Sequence, residues 1–186
     1  KGNYEPGGFS EFIRVPKINV EIGTYLLPEN VSYEEAAMIE PLACVVRGLR
    51  VIDVKKGQTV LVLGSGVSGL LNIQLARLKG ANVIATDVDD YRLKMAKKFG
   101  ADNVINAAKE FDLKADKVIV CTGAMKAVEQ AFKSVGRKGT ILFFAIPNKS
   151  IDIPTVDFWR NEITITSSYG AAPNDLEEAL ELIKNK

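Results

Sequence analysis

Two kinds of hydrophobic pattern alternate along most of the chain. Short segments of strand length, most of them rich in apolar residues, lie at 59–63, 82–86, 103–105, 117–121, 139–145 and 163–167. Between several of these segments the apolar residues recur at helical spacing, and glycines at Gly80 and Gly100 are predicted to end two of the helices. Strands that alternate with helices predict an α/β fold, in which a Rossmann-type doubly wound parallel sheet of six strands carries helices on both faces.

The first fifty residues follow a different pattern. Residues 9–15 alternate between apolar and polar positions and are closed by Pro16, which predicts a short strand. Ser32 and Glu35 are spaced as a capping box, which predicts a helix that carries apolar residues as far as Leu49. Pro41 lies inside that helical pattern, so we expect it to kink the helix or loosen its hydrogen bonding. Residues 175–186 predict a final helix.

Composition narrows the class of protein. A chain of 186 residues with 47% hydrophobic and 25% charged residues is typical of a soluble globular domain, and a net charge of +1 argues against a nucleic-acid partner or an acidic membrane. Two cysteines and no histidine make a disulfide framework implausible and favour the reducing cytoplasm. The chain does not begin with Met, its first sixteen residues are rich in turns, and its last predicted helix leads to nothing, so we expect a fragment.

The most informative motif is the glycine-rich turn after the strand at 59–63. Gly64 allows a tight turn, Gly66 leaves room for a pyrophosphate near the backbone, and Gly69 lets the following helix pack close to the strand. The N–H groups at the start of that helix, at Val67 and Ser68, would face the phosphates. Such a motif is weak evidence alone, but its position between a strand and an amphipathic helix predicts a dinucleotide site.

An acidic residue completes this pattern. Asp87 ends the second strand, 18 residues after Gly69, where a carboxylate can accept hydrogen bonds from the adenosine ribose and repel the 2′-phosphate of NADP, so NAD is the predicted cofactor. The competing interpretation of Asp87 is an ordinary turn aspartate. Arg92 is the nearest cation, and it is expected either to stack on the adenine or to pair with Asp89.

Residues after the later strands are candidates for the nicotinamide end. Thr122 and Ile146 follow the fourth and fifth strands, and ligands of such folds bind outside the carboxyl ends of the strands. An ordinary strand-to-helix cap explains Thr122 equally well.

Cys121 is interpreted as a buried thiol, because no histidine exists to activate it. Glu40, in an apolar stretch before a proline, needs an arginine, water or a metal as partner, and a solvated or salt-bridged glutamate is the favoured interpretation.

These motifs, in this order, resemble those of the zinc-dependent medium-chain alcohol dehydrogenases, and most closely the sorbitol (polyol) and threonine dehydrogenase branch. The residues that carry the resemblance are G-G-F-S-E-F with V-P at 7–16, E-P-L-A at 40–43, the glycines of 64–69, Asp87, and C-T-G at 121–123. The resemblance implies that residues 1–35 end a GroES-like catalytic segment, that 36–170 form an NAD-binding domain, and that 171–186 begin the helix leading on from it.

The resemblance also implies a chemistry. Glu40 would reach a catalytic zinc directly or through water, while the other zinc ligands would lie upstream of this chain. Zinc would bind the substrate hydroxyl and lower its pKa, and the alkoxide carbon would deliver hydride to NAD. Relatives often carry His where this chain has Arg47, and the Ser168–Gly170 stretch resembles the region near the nicotinamide carboxamide. The fragment alone is expected to be inactive.

Other functions are kept as alternatives. One alternative is a zinc-free quinone or enoyl reductase of the same superfamily, and another is a non-catalytic NAD-sensing domain. A short-chain dehydrogenase is disfavoured because Tyr91 and Lys94 are one residue too close for Tyr-x-x-x-Lys, and a methyltransferase usually has Gly where Ser68 stands. The run at 163–167 is expected at a sheet edge, which predicts a homodimer or homotetramer of the intact protein.

Overall fold

The computed structural model describes residues 9–185, which fold around a parallel sheet of six strands. In chain order the strands are β1 Thr59–Leu63, β2 Asn82–Asp87, β3 Asn103–Asn106, β4 Ala115–Val120, β5 Val135–Phe143 and β6 Thr164–Ser167. Their order across the sheet is β3-β2-β1-β4-β5-β6, and all neighbouring strands run parallel. The direction of winding changes between β1 and β4, which is where sheets of this type bind ligands.

Helices cover both faces of the sheet. In chain order they are α1 Lys17–Gly23, α2 Tyr33–Ala36, α3 Ile39–Val51, α4 Val67–Leu78, α5 Asp90–Lys98, α6 Met125–Ser134, α7 Thr155–Arg160 and α8 Pro173–Lys184. The core on one face joins the sheet to α3, α4 and α5, with Leu182 of α8 packed against it, and the core on the other face joins the sheet to α6. The predicted fold class is therefore confirmed. Among the described residues, no helix is both long enough and apolar enough to span a bilayer.

Strand β1 contributes buried side chains to the cores on both faces of the sheet. Val60 and Val62 belong to the core under α4, whereas Leu61 and Leu63 belong to the core under α6. All four side chains are buried, so the strand is apolar on both faces, as a central strand of a covered parallel sheet must be.

The predicted helix signals near the start of the chain are confirmed in part. The Ser32 hydroxyl accepts the Glu35 N–H at 3.2 Å, and the Glu35 carboxylate accepts the Ser32 N–H at 2.9 Å, which completes the capping box. The helix that follows is not merely kinked, because it ends at Ala36 and a new helix begins at Ile39. Pro41 has no N–H to continue the hydrogen bonding across this break and lies in the first turn of α3.

The predicted strand at 9–15 is wrong, as far as the described residues show. Gly7 and Gly8 of its motif lie outside the described residues, and residues 9–15 form no strand. A strand requires a partner for its N–H and C=O groups, and none of the six strands within residues 9–185 pairs with this segment. Phe9 and Phe12 are instead fully or almost fully exposed.

The sequence also missed two helices and part of one strand. Helices α1 and α7 were not predicted, because their seven and six residues are too short for a periodic signal. Strand β5 begins at Val135 rather than at the predicted Gly139, and a register shift between Ala115 and Lys117 of β4 accommodates the additional residues in the sheet.

The connection from β3 to β4 is unusually simple. Parallel strands are normally joined by a dozen or more residues that include a helix, but residues 107–114 cross two strands without one. Phe111 and Leu113 pack against the α6-side core in its place. A groove of about 1020 Å³ lies between this connection, α6 and the α7 region, and none of the predicted site residues lines it.

Candidate functional site

The glycine-rich turn lies at the carboxyl end of β1, beside the end of β4. Gly64 has φ +97°, a conformation that side chains rarely adopt. A Cβ atom added there would also lie 3.2 Å from the Thr122 Cβ and 3.3 Å from the Cys121 carbonyl carbon. Gly64 is therefore required both by its backbone conformation and by the close approach of the β4 end.

The other two glycines of the motif have different roles. A Cβ at Gly69 would overlap the Gly64 carbonyl oxygen, so Gly69 is what lets α4 pack against the turn. A Cβ at Gly66 would meet nothing within 4 Å among the described residues, so the space in front of Gly66 is open. These observations agree with the three predicted roles: Gly64 allows the tight turn, Gly66 leaves room for a ligand, and Gly69 allows the helix to pack closely.

Helix α4 begins with free donors beside this open space. Gly66 is its N-cap, and in the described part of the chain no side chain caps it. The first N–H groups of a helix have no partner inside the helix, so those of Val67 and Ser68 remain available to an acceptor. Together with the positive end of the helix dipole, they suit an anion such as a pyrophosphate.

Asp87 lies at the end of β2 and is 7% exposed. One carboxylate oxygen accepts the Ser65 N–H at 2.8 Å and the other accepts the Asp89 N–H at 3.0 Å. The contact with Asp89 is that of a turn aspartate, but the contact with Ser65 reaches 22 residues back to the glycine turn. Each carboxylate oxygen retains a lone pair for a further donor, so both interpretations of Asp87 are compatible with its geometry.

The partner of Arg92 is Asp87, not Asp89. One guanidinium nitrogen lies 3.9 Å from the Asp87 carboxylate, and more than half of the Arg92 side chain is exposed. Asp89 caps α5 instead, where its carboxylate accepts the N–H groups of Tyr91 and Arg92 at 2.8 and 3.2 Å. Of the two alternatives for Arg92, the ion pair with Asp89 is therefore wrong, and stacking on the adenine stays a prediction.

The loops after β4 and β5 meet at the same edge of the sheet. The Thr122 hydroxyl accepts the Ala124 N–H at 3.3 Å, which is a local turn contact just before α6 and not a cap of that helix. The Asn148 N–H donates to the Gly123 carbonyl at 3.0 Å and joins the two loops. Ile146 belongs to the loop after β5, and 88% of its surface is exposed. The structure thus brings the glycine turn, Asp87 and Thr122 together, with Ile146 on the adjacent loop.

Glu40 lies in the first turn of α3 and is exposed. Its carboxylate accepts the Cys44 thiol hydrogen at 3.3 Å. Burial, followed by the hydrogen bond and the charge of Glu40, raises the pKa of Cys44 to about 11. Residues 9–185 contain no group of three side chains able to hold a metal, and a catalytic zinc takes three protein ligands, so these residues do not form a zinc site by themselves.

A charged cluster that the sequence did not reveal fastens α8 to α3. Asp175 is 1% exposed, and its carboxylate contacts Arg50 at 2.7 Å, Arg47 at 3.6 Å and the Ala172 N–H at 2.8 Å. Arg47 therefore has a structural partner, which the sequence left undecided. Pairing across 125 residues leaves no local signal, so only the position of Asp175 three residues after Ala172 hinted at a cap.

Asn72 of α4 is a second residue that the sequence analysis missed. It is completely buried, and its amide nitrogen donates to the Ser68 carbonyl at 2.9 Å and contacts the Cys121 sulfur at 3.6 Å. Its amide oxygen has no partner in the described part of the chain. Burial raises the pKa of Cys121 to about 12, which agrees with an inert thiol rather than a nucleophile. The sequence offers only a weak signal for Asn72, namely an amide side chain that lies directly between the apolar residues Leu71 and Ile73 of α4.

Comparison with known proteins gives consistent matches. A family model described as zinc-binding dehydrogenase matches residues 68–185. An alcohol dehydrogenase of Geobacillus stearothermophilus is 33% identical over 187 aligned positions, which cover 94% of this chain and 53% of that protein. A sorbitol dehydrogenase of Halalkalibacterium halodurans is 33% identical over 201 positions, which cover all of this chain and 57% of that protein.

A solved structure matches in the same way. A protein of Sinorhizobium meliloti 1021, assigned to the zinc-binding dehydrogenases and bound to NADP, superimposes with a TM-score of 0.82 at 27% identity. The match covers 87% of this chain and 51% of that one. The chain therefore spans about half the length of the proteins that it matches.

Proposed function

The chain belongs to the zinc-binding dehydrogenase family, and we propose that it is the cofactor-binding part of an NAD-dependent, zinc-dependent alcohol or polyol dehydrogenase. The single observation that carries the proposal is the conjunction of an open glycine turn with a buried carboxylate at the switch point of the sheet. Gly66 faces open space, and Asp87 lies 22 residues from Ser65 in sequence but within hydrogen-bond distance of it.

Each predicted residue receives a role in holding the cofactor. The N–H groups of Val67 and Ser68 donate to the pyrophosphate, and Gly64, Gly66 and Gly69 give it access to the backbone. The Asp87 carboxylate accepts hydrogen bonds from the ribose hydroxyls of the adenosine half. Arg92, with its exposed guanidinium, lies beside that carboxylate, where it faces the adenosine.

The nicotinamide half lies at the ends of β4 and β5 in this proposal. Thr122 and the exposed Ile146 line its ring, and the Gly123–Asn148 hydrogen bond fixes the two loops relative to each other. Bound NAD supplies the ring carbon that accepts a hydride from a secondary alcohol. The chain's own residues contribute position and electrostatics.

The division into domains follows from the same proposal. We assign residues 1–35 to the end of a catalytic segment, 36–170 to the cofactor domain and 171–186 to the helix that leads on. Glu40 is the one zinc ligand that we assign to this chain, and the other ligands belong to parts of the protein outside it. The exposed apolar side chains of Phe9, Phe12 and Leu26 suit contact with such a part.

The intact protein is proposed to be a homodimer or homotetramer. Strand β6 lies at one edge of the sheet, so one row of its backbone groups has no strand beside it within residues 9–185. Such an edge is a template for pairing with a second copy.

The proposal is tested by calorimetric titration of the 186-residue chain with NAD⁺ and, in parallel, with NADP⁺. We expect binding of NAD⁺ with at least about a tenfold preference, because the Asp87 carboxylate repels a 2′-phosphate. Equal affinity would remove the role given to Asp87, and absence of binding to either would remove the cofactor role from this chain. Zinc analysis of the intact protein then separates an alcohol dehydrogenase from a zinc-free reductase.

A further inference from the structure

Asn72 is a polar residue that is buried in an apolar core, and packing alone does not explain why an amide stands at this position. The side chain is fully buried on α4, between Leu71 and Ile73, which belong to or pack against the same apolar core. Its amide oxygen has no hydrogen-bond partner among the described residues. A buried polar atom without a partner costs stability, so an apolar residue of similar size would serve the core better.

The two contacts of Asn72 join the two sides of the cofactor cleft. Its amide nitrogen donates to the carbonyl of Ser68, in the first turn of α4, at 2.9 Å. The same nitrogen lies 3.6 Å from the sulfur of Cys121, at the end of β4. Cys121 directly precedes Thr122, and its carbonyl group lies only 3.3 Å from the position that a Cβ on Gly64 would occupy.

We propose, on the basis of the cofactor role given above, that Asn72 is a positioning residue which ties the pyrophosphate-binding turn to the end of β4. Its amide holds the first turn of α4 at a fixed distance from Cys121, so that the N–H groups of Val67 and Ser68 keep their direction toward the phosphates. The loss of stability from the unpaired oxygen is then the cost of a preorganised anion site.

Asn72→Leu is the variant that separates this role from a packing role. It replaces the amide with an apolar side chain of similar size, so the melting temperature should stay the same or rise. Affinity for NAD⁺ should fall at least fivefold, because the first turn of α4 loses its tie. Affinity for adenosine, which lacks the pyrophosphate, should stay unchanged within twofold.

Gln74→Leu provides the matched control. Gln74 lies on the same helix, and its amide donates to the Leu70 carbonyl at 3.2 Å, four residues back, as Asn72 does to Ser68. Gln74 is exposed, and its side chain has no hydrogen bond to the end of β4. We expect its replacement to leave NAD⁺ affinity unchanged.

The outcomes distinguish this inference from the proposed function. Unchanged NAD⁺ affinity in Asn72→Leu, or equal losses for NAD⁺ and adenosine together with a lower melting temperature, would overturn the role given to Asn72. If the wild-type chain bound no NAD⁺, the cofactor proposal would fail. Amide hydrogen exchange of residues 64–69 would then still test the tie, which requires exchange at least threefold faster in Asn72→Leu than in Gln74→Leu.

Discussion

The Asp87 carboxylate accepts a hydrogen bond from the Ser65 backbone N–H at 2.8 Å, across the gap between the ends of β2 and β1. The Ser65 hydroxyl donates in turn to the Thr86 carbonyl at 3.1 Å. The acid that we assign to the ribose therefore also holds the glycine turn in place. Substitutions at Asp87 must consequently be judged on two measurements, cofactor affinity and stability.

Asp87→Ser should weaken NAD⁺ binding tenfold or more and relax selection against NADP⁺. A charge-assisted hydrogen bond is worth about 1.5–3 kcal/mol, which is a tenfold change or larger. Asp102→Ser is the matched control, because Asp102 also accepts a backbone N–H, that of Val83 at 2.8 Å, and takes no part in the proposed site. Calorimetry and thermal unfolding should show lower stability in both variants and an altered NAD⁺ to NADP⁺ ratio in Asp87→Ser alone.

Two alanine substitutions in the glycine turn should affect different properties, stability in one case and cofactor affinity in the other. Gly69→Ala places a Cβ against the Gly64 carbonyl oxygen, so we expect a loss of at least about 2 kcal/mol in the free energy of unfolding. Gly66→Ala meets open space and has an ordinary φ of −70°, so stability should change by less than about 1 kcal/mol. NAD⁺ affinity should nevertheless fall at least tenfold in Gly66→Ala. Retained affinity there would mean that the pyrophosphate does not approach Gly66.

The sheet could be predicted from sequence because its signals are local. Each of the six strands contains all or most of a segment predicted from sequence, and Gly80 and Gly100, which are predicted to end two helices, have φ values of +79° and +107°. The segment at 9–15 failed for the opposite reason, because alternation alone does not supply the neighbouring strand that a β-strand needs. Helices α1 and α7 were not predicted because they are too short for a periodic signal, and the start of β5 was not predicted because its pairing with β4, not local pattern, determines it.

The candidate site divides in the same way. The glycines and Asp87 belong to a motif whose spacing along the chain predicts a dinucleotide site. Sequence analysis therefore placed them together at one edge of the sheet. Asn72 and Asp175 act on residues 49 and 125 positions away, Cys121 and Arg50, and no local pattern reports such pairs. The structure pairs Arg92 with Asp87 and uses Asp89 as the cap of α5. Sequence spacing alone does not reveal which of the two aspartates Arg92 contacts.

Asp175→Ala should loosen α8 from α3. The substitution removes a buried carboxylate and leaves Arg50 and Arg47 without it, and because about half of each guanidinium side chain is exposed we expect a loss of only about 1–2 kcal/mol. Glu178→Gln is the control, since Glu178 contacts the same Arg50 at 2.8 Å but is itself exposed. Urea unfolding should give a change below about 0.5 kcal/mol for that variant. Equal losses would show that surface charge, not the buried carboxylate, holds the helix.

The intact protein should have a mass in solution that is two or four times the mass of its protomer. The expectation rests on β6 as the sheet edge, whose outward backbone groups have no partner strand within residues 9–185. Light scattering at micromolar concentration measures this directly, and a monomeric mass would contradict the proposed assembly.

The thiol of Cys121 should make the stability of the chain fall at alkaline pH. Burial raises the pKa of Cys121 from its usual value near 9 to about 12, so the folded state retains a proton that the unfolded state loses. This contribution is fully present below pH 9 and is lost as the pH rises from 9 toward 12. Between pH 8 and 10.5 the wild-type chain should lose about 1–2 kcal/mol more than Cys121→Ala in urea unfolding, and the lysines and tyrosines common to both chains cancel in this difference.

A second variant separates the two cysteines in the same experiment. The pKa of Cys44 is raised only to about 11, chiefly by burial and then by Glu40, so Cys44→Ala should remove a similar alkaline loss that levels off at lower pH. Identical pH profiles for the wild-type chain and Cys121→Ala would mean that the Cys121 thiol ionises as easily in the folded chain as in the unfolded one. Access to the sulfur alone would then limit its alkylation at pH 8, without the further slowing by the very small thiolate fraction that a pKa near 12 leaves.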